Sequence, residues 1–264
     1  MIRLPVALPS MLWNCVRGSF RTPLDTRQVA KRVLELTNHE RSLRRLGLLR
    51  TYAALDRVAA FHSANMAAKR FFAHEDPEGR GPQQRMSFLC RNLIGGAGEN
   101  LALIPAGPEE WVAQSAVSGW MKSPGHRANM LCGNYTHLGV GVVRAAGGVY
   151  LTQSFGRLYI EANAARCAGQ RLQARRYILR FAFLGDFRTH DLALLLEVPE
   201  KNATRRAGGG MYFHGAWPLP IAWLSNDTGE TTIDLIHGGG HYRVFAGQKS
   251  SGQFAPSPLV IEVS

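Results

Sequence analysis

The sequence predicts an α+β chain built in two parts, and three observations carry that prediction. Apolar residues recur at helical spacing between about residues 27 and 131. Two strand-like runs, HLGVGVV with its alternating glycines and VYLTQSF, then meet across a short turn at 145–148. Beyond about residue 160 the helical period gives way to seven short strand-like runs separated by Gly, Asn, Asp and Pro, the pattern of a small antiparallel sandwich or barrel.

The N-terminal stretch MIRLPVALPSMLWNC has a charged Arg3, but Pro5 and Pro9 interrupt its apolar run, and Cys15 lacks small residues before it. It reads as a degenerate export segment or as a plain tail. DRVAAFHSANMAAK places Val58, His62 and Met66 at helical spacing beside Ala59, so His62 reads as a core histidine. PEEWVAQSAVSGWMK predicts a helix opening at Pro108, with Glu109 and Glu110 at its positive end and Val112, Ala116 and Trp120 inward. In the hairpin, Gly139 and Gly141 alternate with Leu138, Val140 and Val142, which leaves one strand face bare for close packing. The expected division is a tail over 1–26, a first domain over 27–158, a linker over 159–174 and an all-β accessory domain over 175–264.

Composition narrows the function classes. With 45% hydrophobic and 19% charged residues the chain is globular, and no apolar run approaches the length of a transmembrane helix. A net charge of +12 favours an anionic partner such as envelope material or phospholipid head groups. The arginines are spread along the chain, which disfavours a dedicated nucleic-acid groove. Four cysteines without C-x-x-C spacing argue against a zinc ribbon. Cys90 with Cys132 is the preferred disulfide in an oxidising compartment, with buried free thiols as the alternative. Three N-x-[ST] matches, at Asn134, Asn202 and Asn226, are short enough to be chance.

Three stretches look chemically loaded: FFAHEDPEG, GENLALI and SPGHRANML. In the last, Ser123 is placed to cap a short helix whose first residue is Pro124 and third His126. A histidine in a first helical turn is kept neutral, as a metal ligand or acceptor must be. In GENLALI an extended reading puts Glu99 on one face with Leu101 and Leu103, where it needs a cation or donor, and two histidines are the nearest supply. Glu75, Asp76 and Glu78 read as charges of a surface turn. In the C-terminal part, His237 and His241 in IHGGGHY read as a metal loop or, in preference, a hairpin turn. Trp217, Trp223 and Tyr242 read as core aromatics or as a sugar platform.

Taken in order, FFAHEDPEG, GENLA, W-x-x-SPGHRANML, HLGVGV and YLTQSFG resemble the CAP superfamily (cysteine-rich secretory, antigen 5 and pathogenesis-related proteins), in its bacterial SCP-like branch. The resemblance covers about residues 27–158. It implies an α-β-α sandwich, an extracellular or cell-surface location, and a cleft in which His74, Glu99 and His126 match the family's His–Glu–His group. Asn100, Ser123 and Arg127 would line that cleft. Ser123 stands where animal and plant members carry a second glutamate. Two histidines and a carboxylate are a plausible set for zinc or another divalent cation. A binding module for a metal, a small molecule, a lipid or an envelope component is the favoured expectation. A metal-assisted hydrolase of envelope peptide or ester bonds, with Glu99 as base, is the competing one. A third reading is a buried hydrogen-bond network tying helix to sheet. No H-E-x-x-H or G-x-S-x-G arrangement is present.

Overall fold

The computed structural model describes residues 24–163, 176–199, 204–206, 212–214 and 216–263, with the backbone alone at 204–206 and 212–214. The export-segment reading, Cys15, Cys167 and Asn202 lie outside these residues. The first helix, α1, spans Thr26–Ser42, and Asp25 caps it by accepting from the amides of Arg27 and Gln28. Residues 25 and 26, expected to be tail, thus already belong to the helix and its cap.

Strand β1 (Arg50–Thr51), helix α2 (Ala53–Lys69), helix α3 (Pro82–Leu89) and the long strand β2 (Leu93–Ile104) follow. Helix α4 (Glu109–Lys122) begins one residue after Pro108, which is its N-cap, and buries Val112, Ala116 and Trp120 as expected. Helix α5 (Pro124–Met130) has Ser123 at its N-cap position, although the hydroxyl makes no capping bond. Strands β3 (His137–Ala145) and β4 (Gly148–Ala162) form the predicted hairpin, with Ala145 opposite Gly148.

β4 is the centre of the sheet. It pairs along its whole length with β2 and, on its other side, with β3, which pairs with β1. Alternation along β4 separates two layers. Val149, Leu151 and Phe155 meet Val29 and Val33 of α1, Val112 and Trp120 of α4 and Met130 of α5. The opposite face packs on α2 and α3, through Leu55, Val58 and Met86 among others. The bare strand face is the reason α2 sits so close. A Cβ on Gly139 would stand 2.1 Å from the Leu55 carbonyl carbon, and one on Gly141 2.2 Å from that of Ala59.

The last residues of β4, 159–162, were expected to open a linker; they remain strand and enter a second core. Ile160, Glu161 and Ala162 pair with β5 (Arg176–Phe183), which pairs with β11 (Thr228–Asp234) and through it β10 (Ala222–Trp223). A five-stranded sheet of β6 (Leu192–Glu197), β9 (Ala216–Pro218), β12 (Gly240–Gln248), β13 (Gln253–Phe254) and β14 (Leu259–Val263) faces it. β7 (Thr204–Arg206) and β8 (Tyr212–His214) form a separate ribbon. The shared core draws Ile94, Tyr159 and Ile160 from the first part and Phe181, Leu194, Trp217 and Tyr242 from the second. Trp217 and Tyr242 are therefore core residues, not a sugar platform, and Trp223 packs against the same cluster. IHGGGHY is not a hairpin turn, because it links β11 of one sheet to β12 of the other. No described helix is long and apolar enough to cross a membrane.

Candidate functional site

Glu99 lies in β2, on the face toward α2 and α3, and its side chain is almost wholly buried. Burial of a carboxylate requires compensation. The main supply is Arg85 of α3, itself fully buried, whose Nη2 donates to Glu99 Oε2 at 2.5 Å. His74 contributes from the other side, with Nδ1 2.9 Å from Glu99 Oε1. The cation expected from two histidines is thus an arginine that the sequence reading left unmarked.

His62 is the core residue expected, yet it also faces this group. Its Nε2 is 3.0 Å from the Ala73 carbonyl and 3.8 Å from Glu99 Oε1. A ring nitrogen beside a carbonyl must be the protonated one, so Nδ1 is an acceptor. Burial lowers the His62 pKa, with the nearby Glu99 charge opposing the shift. His62 Nδ1 and Arg85 Nε have no protein partner among the described residues.

The loop that carries His74 is built around Asp76. That residue is buried, not a surface charge as expected, and it accepts from the amides of Glu78 and Arg80 and from Arg80 Nε. Burial pushes its carboxyl up, but the Arg80 hydrogen bonds outweigh this and hold it below its ordinary value. Arg85 Nη1 closes the loop from beneath, donating to the carbonyls of His74 and Arg80 at 2.7 and 2.6 Å. One guanidinium therefore fixes both Glu99 and the backbone bearing His74.

His126 approaches from the opposite face of the sheet. Asn100, next in β2 and fully buried, donates to the His126 carbonyl at 3.0 Å and to Gln153 Oε1 at 3.1 Å. Asn129 of α5 donates to the Glu99 carbonyl and to Asn100 Oδ1, both at 3.0 Å. Asn100 hence lies beneath α5 and does not line an open cleft. Ser123 is half-buried and Arg127 is exposed. Burial lowers the His126 pKa, and His74 lowers it further. The direction matches expectation, with desolvation as its leading cause. The structure thus gathers His74, Glu99 and His126 about the free edge of β2, one imidazole from each side.

Among the described residues, no group of three or more His, Cys, Asp or Glu side chains is arranged to hold a metal ion. Glu99 does not fit as a ligand, because Arg85 and His74 occupy its two oxygens. The donor chemistry left for a metal is the pair of imidazoles, with Glu99 behind one of them. The Cys90–Cys132 disulfide is not formed. Cys90 is buried with its thiol toward the Ala54 carbonyl, and Cys132 follows α5 as a second free thiol.

Residues 34–155 match the cysteine-rich secretory protein (CAP) family. The chain carries a CAP domain. The match takes in just under half of the chain, and the order of motifs in the sequence agrees with it. The chain is 37% identical over 127 residues to YkwD of Bacillus subtilis, covering 48% of this chain and 47% of that protein. The chain is also 36% identical over 126 residues to the B. subtilis membrane protein YlbC, covering 47% of this chain and 33% of that protein. The chain thus spans about half and a third of the lengths of these two relatives. Among solved structures, an extracellular SCP-domain protein of Bacillus anthracis is similar at 29% identity and a TM-score of 0.42, over 58% of this chain and 45% of that one.

Proposed function

We propose that this protein is a secreted or surface-held binding module of the bacterial SCP type. Its CAP cleft takes a divalent metal ion on the imidazoles of His74 and His126. One observation carries this reading: Glu99 Oε1 lies 2.9 Å from His74 Nδ1. A carboxylate there keeps the proton on Nδ1 and leaves the Nε2 lone pair outward, the arrangement carboxylates give to metal-binding histidines. His126, held neutral by burial, offers the second lone pair. The ion would supply a fixed positive charge for an anionic or carbonyl-bearing ligand. Exposed Phe72, two residues before His74, and exposed Phe88 offer apolar surface for a small-molecule or lipid ligand. The net charge of +12 favours attachment to anionic envelope material.

Hydrolysis with Glu99 as base finds little support. To take a proton from water, Glu99 would have to release Arg85 or His74. Metal analysis of the purified full chain, after zinc loading and desalting, tests the binding reading. Metal should be retained stoichiometrically by the wild type and lost from His74→Ala/His126→Ala. Equal retention by both would remove the cleft as the metal site.

A further inference from the structure

β2 is an edge strand, and its outer edge is covered almost everywhere by side chains. In an antiparallel ladder, the N–H and C=O of one residue point to the same side. The Gly156 carbonyl accepts from the Thr136 amide on the β3 side, so its β2 partner Ala97 is turned away from β4. Glu99 and Leu101, in the same phase, are turned the same way. The Gln83 amide donates to the Gly95 carbonyl at 3.2 Å and accepts from the Ala97 amide at 2.9 Å. The Glu99 carbonyl is taken by Asn129 and the Leu101 carbonyl by Trp120 Nε1.

Between these covers, the Ala97 carbonyl and the Glu99 amide, flanking Gly98, have no partner among the described residues. A residue of a parallel strand bonds to the neighbours of the residue it faces. Gln83 imitates such a residue opposite Gly96; one step along, opposite Gly98, the same pair of contacts is open.

The opening adjoins a cleft of about 560 Å³ lined by Gln83, Gly96, Ala97, Tyr135, Arg157 and Pro256, among others. Arg157 lies directly across from Gly96, whose missing side chain leaves only the Pro256 ring nearby, 3.9 Å from a Cβ placed there. Its guanidinium donates to the side-chain oxygens of Gln248 and Gln253 and lies over the Tyr159 ring at 5.4 Å, but no carboxylate pairs with it among the described residues.

We propose that this edge binds an extended peptide bearing a carboxylate side chain. The peptide adds as a parallel strand, with one residue donating to the Ala97 carbonyl and accepting from the Glu99 amide. Its acidic side chain meets Arg157. Main-chain bonds supply the affinity and the alternate side chain the selectivity, as in other strand-addition sites.

Fluorescence anisotropy on the full chain, with EDTA present, tests this independently of any metal. The probes are a fluorescein-labelled octapeptide of alternating Glu and Thr, its Gln-for-Glu counterpart, and the Glu peptide N-methylated at alternate amides. The Glu peptide should bind saturably. The Gln peptide, the N-methylated peptide and the Arg157→Gln protein should each show affinity reduced about tenfold or more, the scale of one charged hydrogen bond. Equal binding of the N-methylated peptide, which needs no protein variant, would overturn the proposal. So would absence of saturable binding, or preferential displacement by an N-acetylglucosamine tetramer, whose amide comes from a glycan.

Discussion

Arg85 and Arg41 are both wholly buried, on opposite faces of one sheet, yet only Arg85 meets a carboxylate. Arg41, from α1, donates to the carbonyls of Gly47, Met130, Cys132 and Tyr135 at 2.7 to 3.3 Å. Burial lowers its pKa. It is a staple, holding the end of α5 and the following loop with neutral acceptors. Arg85 instead neutralises a single acid and anchors the loop of His74. The contrast teaches that a buried cation marks a site only when its partner is itself a charge placed near an opening.

The largest effect expected is on this pair. Arg85→Met strands the Glu99 carboxylate and should cost about 3–5 kcal/mol in urea unfolding. Adding Glu99→Gln should recover most of that loss, a coupling of about 2 kcal/mol or more across the double-mutant cycle. Arg41→Met should cost about 3 kcal/mol or more, because several carbonyls lose a donor at once. No single second substitution should restore it. A matching rescue at Arg41 would break the contrast.

Acid sharpens the contrast on the Arg85 face. His137, buried in β3 beside Tyr52 and Thr136, has its pKa lowered from 6.5 to about 4 by desolvation and then by Arg50. The unfolded chain binds this proton and the folded chain does not between those values. Stability is therefore complete above pH 6.5 and falls as pH drops toward 4. The loss from this residue is at most roughly 3 kcal/mol. His62 and His126 add in the same direction. Chemical denaturation at pH 7 and pH 5 should show a smaller difference for His137→Gln than for wild type; an unchanged difference would assign the loss to other groups.

The strand glycines and the helix faces were legible because they follow from period and volume alone. Gly139 and Gly141 announced a close approach, and α2 supplies it. Adding a methyl at Gly141 should cost about 1–3 kcal/mol or more, since the neighbour is backbone and cannot yield. Arg85 was not legible. Nothing local in QQRMSF shows that its arginine points inward. The one available signal was the demand raised by Glu99, a carboxylate among apolar neighbours, which a cation from any element could meet. His62 was legible as buried, but its approach to Glu99 depends on how α2 lies across β3 and β4. The covers on the β2 edge are likewise products of topology, drawn from three separate helices.

The smallest effect compares two hydroxyls that join a helix to consecutive residues of β4. On one face Thr37 Oγ1 donates to the Val33 carbonyl and accepts from Gln153 Nε2 at 2.8 Å. On the other, Ser63 Oγ lies 2.8 Å from Thr152 Oγ1 and donates to the Gly141 carbonyl. All four residues are buried. Thr37→Val keeps the shape but leaves an amide N–H that cannot turn away, because the rest of the Gln153 amide is held by Asn100. Ser63→Ala leaves a Thr152 hydroxyl that can rotate toward another acceptor. Thermal and urea unfolding should therefore give about 1–2 kcal/mol for Thr37→Val and no more than about 1 kcal/mol for Ser63→Ala. Equal losses would mean that the two faces are fastened to β4 with the same rigidity, and the distinction drawn between them would reduce to the two arginines.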